Sequence, residues 1–551
     1  MKMGAPSTGK KKTTASSKRA ASKTPKRKAG AKAASKTTAG AKKASPTMTM
    51  PMPAKSAPME KSSAAPMDMQ HMSPAAKDST SLDMSRMSNM PAKPDSAHMN
   101  MPGRPGMNMP GASTPATTTS GMQGGSMDDM MTGPAGVSME RMGSGTTWIP
   151  DAVTMPNRQR MLGDWMIMTH GFAFLQYDKQ TGERGDDQFG SLNWAMLMAS
   201  HDLAGGKFQA RTMLSLDALT VTNRGYPLLL QSGESFDGAP LHDRQHPHDF
   251  FMEVGALYQR PITKTLAWSF YAAPSGEPAL SPVAFMHRPS AMDNLTAPIS
   301  HHWQDATHVS FGVLTGGIFT HTWQLEGSIF NGREPDQKRW DFDPIKLDSY
   351  SGRVTVNPTE HWSLEAGYGY LKSPEALNPT ESMHRITTSV QHGTKLGSDG
   401  QVASTFIWGA NKHSTMPGLS HSFLLESEAI LDKRNTLFGR TELVQKSGED
   451  LVVSDPITTT KGVLLPGLPA TQHFNVGTME LGYIRELART RWATIGLGAA
   501  GTLNFVPGPL EPYYGSRTPV GTFIFLRLRP FYSARKAMSE MGGMKMDPMH
   551  E

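Results

Sequence analysis

A chain of 551 residues with 37% hydrophobic content has room for several domains, yet it contains no run of about 18 apolar residues, which excludes transmembrane helices. The net charge of +7 belongs to one end: residues 1–47 carry 14 Lys and Arg and no acid, leaving 41 basic against 48 acidic residues elsewhere. With no cysteine, disulfide frameworks, thiolate metal sites and Cys nucleophiles are excluded. A membrane β-barrel is not, because its strands are short and half polar.

Residues 1–47 form a Lys/Ala/Ser/Thr tract without apolar periodicity, read as a basic disordered tail. Unpatterned charge of this kind holds phosphates or an anionic surface, or is simply solvated. A secretory signal needs an apolar core, and none occurs before Trp148, so no export signal is visible. Residues 48–146 are rich in Met, Pro, Ser and Gly and hold 20 of the 40 methionines. They read as a second disordered segment, since Pro and Gly between the clusters rule out a helix with a Met face. Residues 147–532 read as a β-barrel, and 533–551 as a short Met-rich tail.

The barrel portion is predicted as about sixteen strands: 163–177, 188–200, 207–219, 249–260, 264–273, 307–315, 318–330, 349–357, 361–372, 382–395, 400–411, 420–432, 436–447, 473–487, 491–505 and 519–529. The clearest is the hairpin Phe423–Gln445. There Phe423, Leu425, Ser427 and Ala429 share one face, and Leu424, Glu426, Glu428 and Ile430 the other. Mid-strand charge suits a lumen, and an apolar outer face suits lipid. Every second connection is short and turn-like (Ala204-Gly205-Gly206, Gln259-Arg260-Pro261, Gly316-Gly317, Asp432-Lys433-Arg434-Asn435), and those between are longer. This alternation along an even-numbered meander predicts an up-and-down antiparallel transmembrane barrel rather than a soluble sandwich. Tyr177, Tyr258, Trp268, Trp362, Trp408 and Trp492 near strand ends suit interfacial girdles. Both termini, and so both Met-rich tails, then leave from the periplasmic side. The inward charges Lys207, Arg211, Asp217, Glu326, Glu426, Glu428, Arg440, Glu442, Arg527 and Arg529 predict a hydrated or plugged interior of mixed sign.

Three groups of residues carry chemistry. The first is the thioether set: Met48, Met50, Met52; Met67, Met69, His71, Met72; His98, Met99, Met101; Met107, Met109; and Met544, Met546, Met549, His550. Thioether sulfur is a soft, neutral ligand that selects Cu(I) or Ag(I) over zinc, calcium or magnesium and needs no deprotonation. The second is His242, His246 and His248 with Asp243 and Asp249, joined by His287, His301 and His302 of the next long loop. Its two readings are metal ligation and, preferred, a hydrogen-bonded scaffold folded into the barrel mouth. Pro247 is expected to turn His246 and His248 apart. The third, Phe330–Asp336 with Arg339 and Asp341, reads as a turn tied by Arg–carboxylate pairs. No Ser/His/acid motif, phosphate-binding Gly loop or HExxH occurs locally, so no enzyme is expected.

A barrel with the clusters Met67-Asp68-Met69-Gln70-His71-Met72 and His98-Met99-Asn100-Met101 ahead of it resembles outer-membrane copper resistance proteins of the B type. The resemblance covers the extension and the general barrel form. It implies an outer-membrane location in a Gram-negative bacterium, bound Cu(I) or Ag(I), and a role in copper tolerance or export. Outer-membrane lipid, soft metal ions and periplasmic copper carriers are the partners expected, with no specific nucleic acid. The alternatives are a general solute porin with incidental tails, or a surface-anchored structural or adhesive barrel.

Overall fold

The structure, a computed structural model, describes residues 131–490 and 493–529. Sixteen strands close the barrel, numbered here β1 to β16 in chain order. They are β1 Trp165–Gln180, β2 Asp187–Leu203, β3 Gly206–Leu214, β4 Phe251–Pro261, β5 Ala267–Gly276, β6 Ser310–Phe319, β7 Trp323–Phe330 and β8 Ser349–Thr359. There follow β9 Trp362–Lys372, β10 Ser382–Leu396, β11 Gly400–His413, β12 Ser420–Ile430, β13 Asn435–Ser447, β14 His473–Arg489, β15 Thr494–Phe505 and β16 Val520–Arg529. Each pairs antiparallel with the next, and β16 returns to β1 through Ala173↔Leu528 to Gln180↔Gly521, so the sheet has no open seam there. The lower part of that same β1 edge is covered by a short strand, Arg158–Leu162. Closure satisfies every strand's backbone groups within the sheet, which a chain crossing hydrocarbon requires.

Alternation dictates the two surfaces. In β12, Phe423 and Leu425 are exposed while Leu424, Glu426 and Glu428 are buried, so the apolar face points out and the charged face in. The outer belt continues round the barrel through Leu197, Leu325, Val354, Phe406, Leu443, Leu481, Leu497 and Ile524, all exposed. Exposed leucine repeated at this density is unsuited to water and suited to lipid. Tyr177 and Trp362 are exposed, and Tyr258, Trp268 and Trp408 partly so, at outward positions; Trp492 lies outside the described residues.

Connections alternate short and long, with three local departures from the sequence reading. Gly316 and Gly317 are not a turn: they sit within β6, paired with Gly327 and Glu326 of β7. The reversal comes at Thr320–Thr322, where the Thr320 hydroxyl accepts the Thr322 and Trp323 amides at 3.2 Å each. Gly317 leaves room there for the inward Glu326 chain rather than bending the backbone. The strand expected to run to 219 ends at Leu214, because Asp217 starts a helical turn, Asp217–Thr220, and accepts the Asn193 amide at 2.8 Å. Likewise Gln259-Arg260-Pro261 belongs to β4, and the turn follows it.

The lumen is full. Every residue from Ser275 to Val313 is buried, since the β5–β6 connection folds into the barrel as an irregular plug. Such a segment brings unpaired backbone groups into a low-dielectric interior, and these need partners. The inward strand charges supply them. Glu442 accepts the Ile299 and Ser300 amides at 3.1 and 2.9 Å, Glu428 the Asp293 amide at 2.9 Å, and Glu480 the Asn294 side chain at 3.0 Å. Arg440 donates to the Thr296 carbonyl at 3.0 Å and Arg353 to that of Ser281 at 2.9 Å. Arg527 pairs with Asp293 and Glu486. Of the two interiors expected from the sequence, the plugged one is found.

The short-turn end is closed separately by residues 132–157, which include the last part of the stretch read as Met-rich. The Thr146 carbonyl accepts Gln324 at 3.0 Å, that of Ile149 accepts Asn357 at 3.0 Å, and that of Trp148 accepts Ser363 and Gln391 at 3.2 Å each.

Candidate functional site

Two long loops bring five imidazoles together at the upper end of the lumen. Ring centroids lie 6.3 Å apart for His246 and His301, 6.2 Å for His246 and His302, 5.3 Å for His301 and His302, 5.5 Å for His248 and His308, and 5.1 Å for His301 and His308. His246 and His248 do not point apart: their rings approach to 6.5 Å, because residues i and i+2 of extended backbone project to the same side. His242 stands away from the cluster, half-exposed, bonded to Arg184 at 2.6 Å and Asp243 at 2.9 Å, and serves as scaffold.

Each clustered ring is fixed by an acceptor. His248 contacts Asp217 at 2.8 Å, His301 Asp305 at 2.7 Å, His302 Glu334 at 2.9 Å and His246 Glu234 at 2.8 Å. His308 Nδ1 faces the Asp305 carbonyl at 2.8 Å, and its buried Nε2 has no partner. Holding an imidazole through one nitrogen fixes its orientation and leaves the other available as a donor. Among the described residues, though, the only three His or acidic donors within mutual reach of one ion are Asp336, Asp341 and Asp343 at the rim. The imidazoles are therefore oriented but not gathered into a His-and-carboxylate chelate. The loop around Arg339 is not tied within its own turn as expected: Arg339 reaches across to Glu234 at 2.7 Å and Asp249 at 3.1 Å, locking three loops together.

Burial sets the charge here. It pushes His246 and His302 down to about 4 despite the pull of Glu234, and holds His287 and His308 well below the ordinary imidazole value. Burial also raises Glu334 to about 8 and Asp249 to about 7. It works the same way on Glu234, but His246 and Arg339 outweigh it and hold that carboxyl at about 2.

These shifts give a pH prediction for plug release. A depressed imidazole favours the closed plug only while neutral, so its contribution is present above about 6.5 and lost as pH falls through about 4. The raised carboxyls act oppositely, their contribution being lost as pH rises toward about 7 and 8. The two sets therefore oppose each other between about pH 8 and 4. Below about 4 the raised carboxyls are protonated whether the plug is in or out, while the imidazoles and the depressed carboxylates Glu234 and Asp305 all disfavour closure. Planar-bilayer conductance is expected to stay low from pH 7 to about 5 and to rise below about 4.

The thioether ligands expected in the tails (Met48 to Met109, with His71 and His98, and Met544 to His550) lie outside the described residues. A second thioether set, not singled out from sequence, lines the lumen: Met166, Met168, Met196, Met198 and Met213 are buried on the inward faces of β1 to β3. Its signal was present as Met166-x-Met168-x-His170, which a strand's two-residue period puts on one face.

No family model and no curated protein matches the chain's sequence. Solved structures with a similar strand arrangement include OmpT, an outer membrane protein of Vibrio cholerae, at 9% identity and a TM-score of 0.36, covering 68% of this chain and 100% of that one. An anion-selective porin from Comamonas acidovorans matches at 10% identity and 0.38, covering 66% and 99%. OprB of Pseudomonas putida matches at 11% and 0.41, covering 66% and 94%. Likeness at this level leaves the fold resting on the chain's own strand pairing.

Proposed function

We propose that this chain is an outer-membrane barrel of a Gram-negative bacterium that handles soft metal ions, Cu(I) or Ag(I), without being an enzyme, in copper tolerance or export. The observation that carries this reading is the combination of a filled lumen with 25 of the 40 methionines concentrated in residues 48–146 and 538–551 of the sequence. A general solute porin needs an open water path, and the plug occupies it. The copper-resistance resemblance adds to the reading through Met67–Met72 and His98–Met101 alone. In this reading the tails collect the ion, outer-membrane lipid surrounds the belt, and periplasmic copper carriers exchange metal at the short-turn end.

Deleting 48–130 and 538–551, while keeping 131–157 in place, tests it. Cells carrying the deletion are expected to become copper-sensitive with the amount of assembled barrel unchanged. Equal copper tolerance would favour the porin reading with incidental tails. Salt-sensitive capture by residues 1–47 alone would favour a surface-anchored structural barrel.

A further inference from the structure

We propose that the barrel interior holds a Cu(I)- or Ag(I)-binding site of two imidazoles and two thioethers, with His170, Met196 and Met213 on the wall and His287 on the plug. Strand register makes three of the four donors neighbours at one level of the wall: His170 of β1 is paired with Met196 of β2, and Met196 in turn with Met213 of β3. All three point inward and are buried. His170 Nε2 lies 3.0 Å from Met196 Sδ, and His287 Nε2 lies 3.4 Å from Met213 Sδ. The two imidazole centroids are 5.4 Å apart, and Trp194 packs against both, at 5.1 Å from His170 and 4.7 Å from His287. Two nitrogen and two sulfur donors are thus brought together at the wall–plug junction.

Beside them is a cavity of about 20 Å³ lined by Met213, Met252, Met286, His287, His308 and Glu277, enough for a single ion or water. Methionine in a core is ordinarily a flexible filler. Here nine of the twenty-seven buried apolar residues that pack together around these donors are methionine, and two of those sulfurs face imidazole nitrogens directly, which filling space does not require. Uncharged S₂N₂ donors suit a soft monovalent ion and are poor ligands for magnesium or calcium. Since one ligand belongs to the plug and three to the wall, an ion bound here would fasten the plug in place.

The site uses none of the tail residues, so it stands or falls separately from the tail reading. The test is titration of the full-length chain in detergent, labelled with methyl-¹³C methionine, using Ag(I) as the probe. Resonances of Met196 and Met213 are identified by their loss in Met196→Leu and Met213→Leu. Both are expected to move together and saturate at one equivalent, and the double leucine variant is expected to bind one equivalent fewer while keeping its heat-dependent gel shift. His287→Gln is expected to weaken that equivalent at least about tenfold without unfolding the barrel. If the Met196 and Met213 signals stay in place while other methionines titrate, the interior site is overturned and the tail reading survives. If they move and the others do not, the interior site holds and the tail reading fails.

Discussion

Arg288→Met is expected to convert the closed barrel into a conducting one. Arg288 is fully buried, and its guanidinium joins plug to wall: it donates to Glu426 at 2.6 and 3.3 Å, to Asp305 at 2.9 Å and to the Val283 carbonyl at 2.9 Å. Removing one member of a buried charge network leaves its partners uncompensated, at a cost of about 3–5 kcal/mol. The shortfall falls on the plugged state, because in a water-filled lumen Glu426 and Asp305 are solvated. The closed-to-open ratio should therefore drop by roughly two to four orders of magnitude. Single-channel recording in planar bilayers is the check, with the wild type silent and the variant opening at neutral pH. Arg288→Lys is expected to open the barrel as well, since one ammonium does not reproduce a planar fork that reaches two carboxylates and a carbonyl.

The second large effect is on the outer face. Leu481 is 70% exposed and lies mid-strand in β14, between Gly439 of β13 and Gly501 of β15. In a water-soluble protein, arginine at such a position is harmless or helpful. At the middle of a lipid belt it costs about 2–4 kcal/mol. Leu481→Arg should lower the urea midpoint of vesicle-inserted protein and reduce the fraction showing a heat-dependent gel shift. Leu464→Arg provides the comparison: Leu464 is 68% exposed but sits in the loop between β13 and β14, beyond the strands, so its replacement should change neither measurement.

What could be read in advance, and what could not, follows from where the chain is periodic. All sixteen wall strands have a two-residue period punctuated by polar turns, so they were legible from sequence, with ends displaced by a few residues. Glycine misled at Gly316-Gly317, because the same residue marks both a turn and a place where an inward side chain needs room. Which segment fills the lumen was the larger omission. Residues 277–309 contain only short helical turns at Phe285–His287, His301–Gln304 and Ala306–His308, leaving no period to detect. Its signature lay instead in the wall: Glu426, Glu428, Arg440 and Glu442 at mid-strand are more fixed charge than a dry lumen tolerates unpartnered. Their role is to satisfy the backbone of the segment folded among them. The upper imidazoles were visible as residues, and the meeting of His246 with His301 and His302 followed from placing both loops at one end. The thioethers of the wall were hidden by contrast with the far denser clusters of residues 48–146.

A plugged barrel seated in a bilayer requires Phe423, Leu425 and Ser427 to face hydrocarbon and Leu424, Glu426 and Glu428 to face the plug. The absence of cysteine in the chain makes single-cysteine spin labels at positions 423, 424, 425 and 427 straightforward to place. In lipid vesicles, labels at 423, 425 and 427 should collide strongly with dissolved oxygen and weakly with a water-soluble nickel chelate, while a label at 424, which leaves the Glu426 network intact, should be shielded from both. Oxygen collision without alternation, or nickel contact at 423, 425 and 427, would contradict a plugged barrel seated in a bilayer.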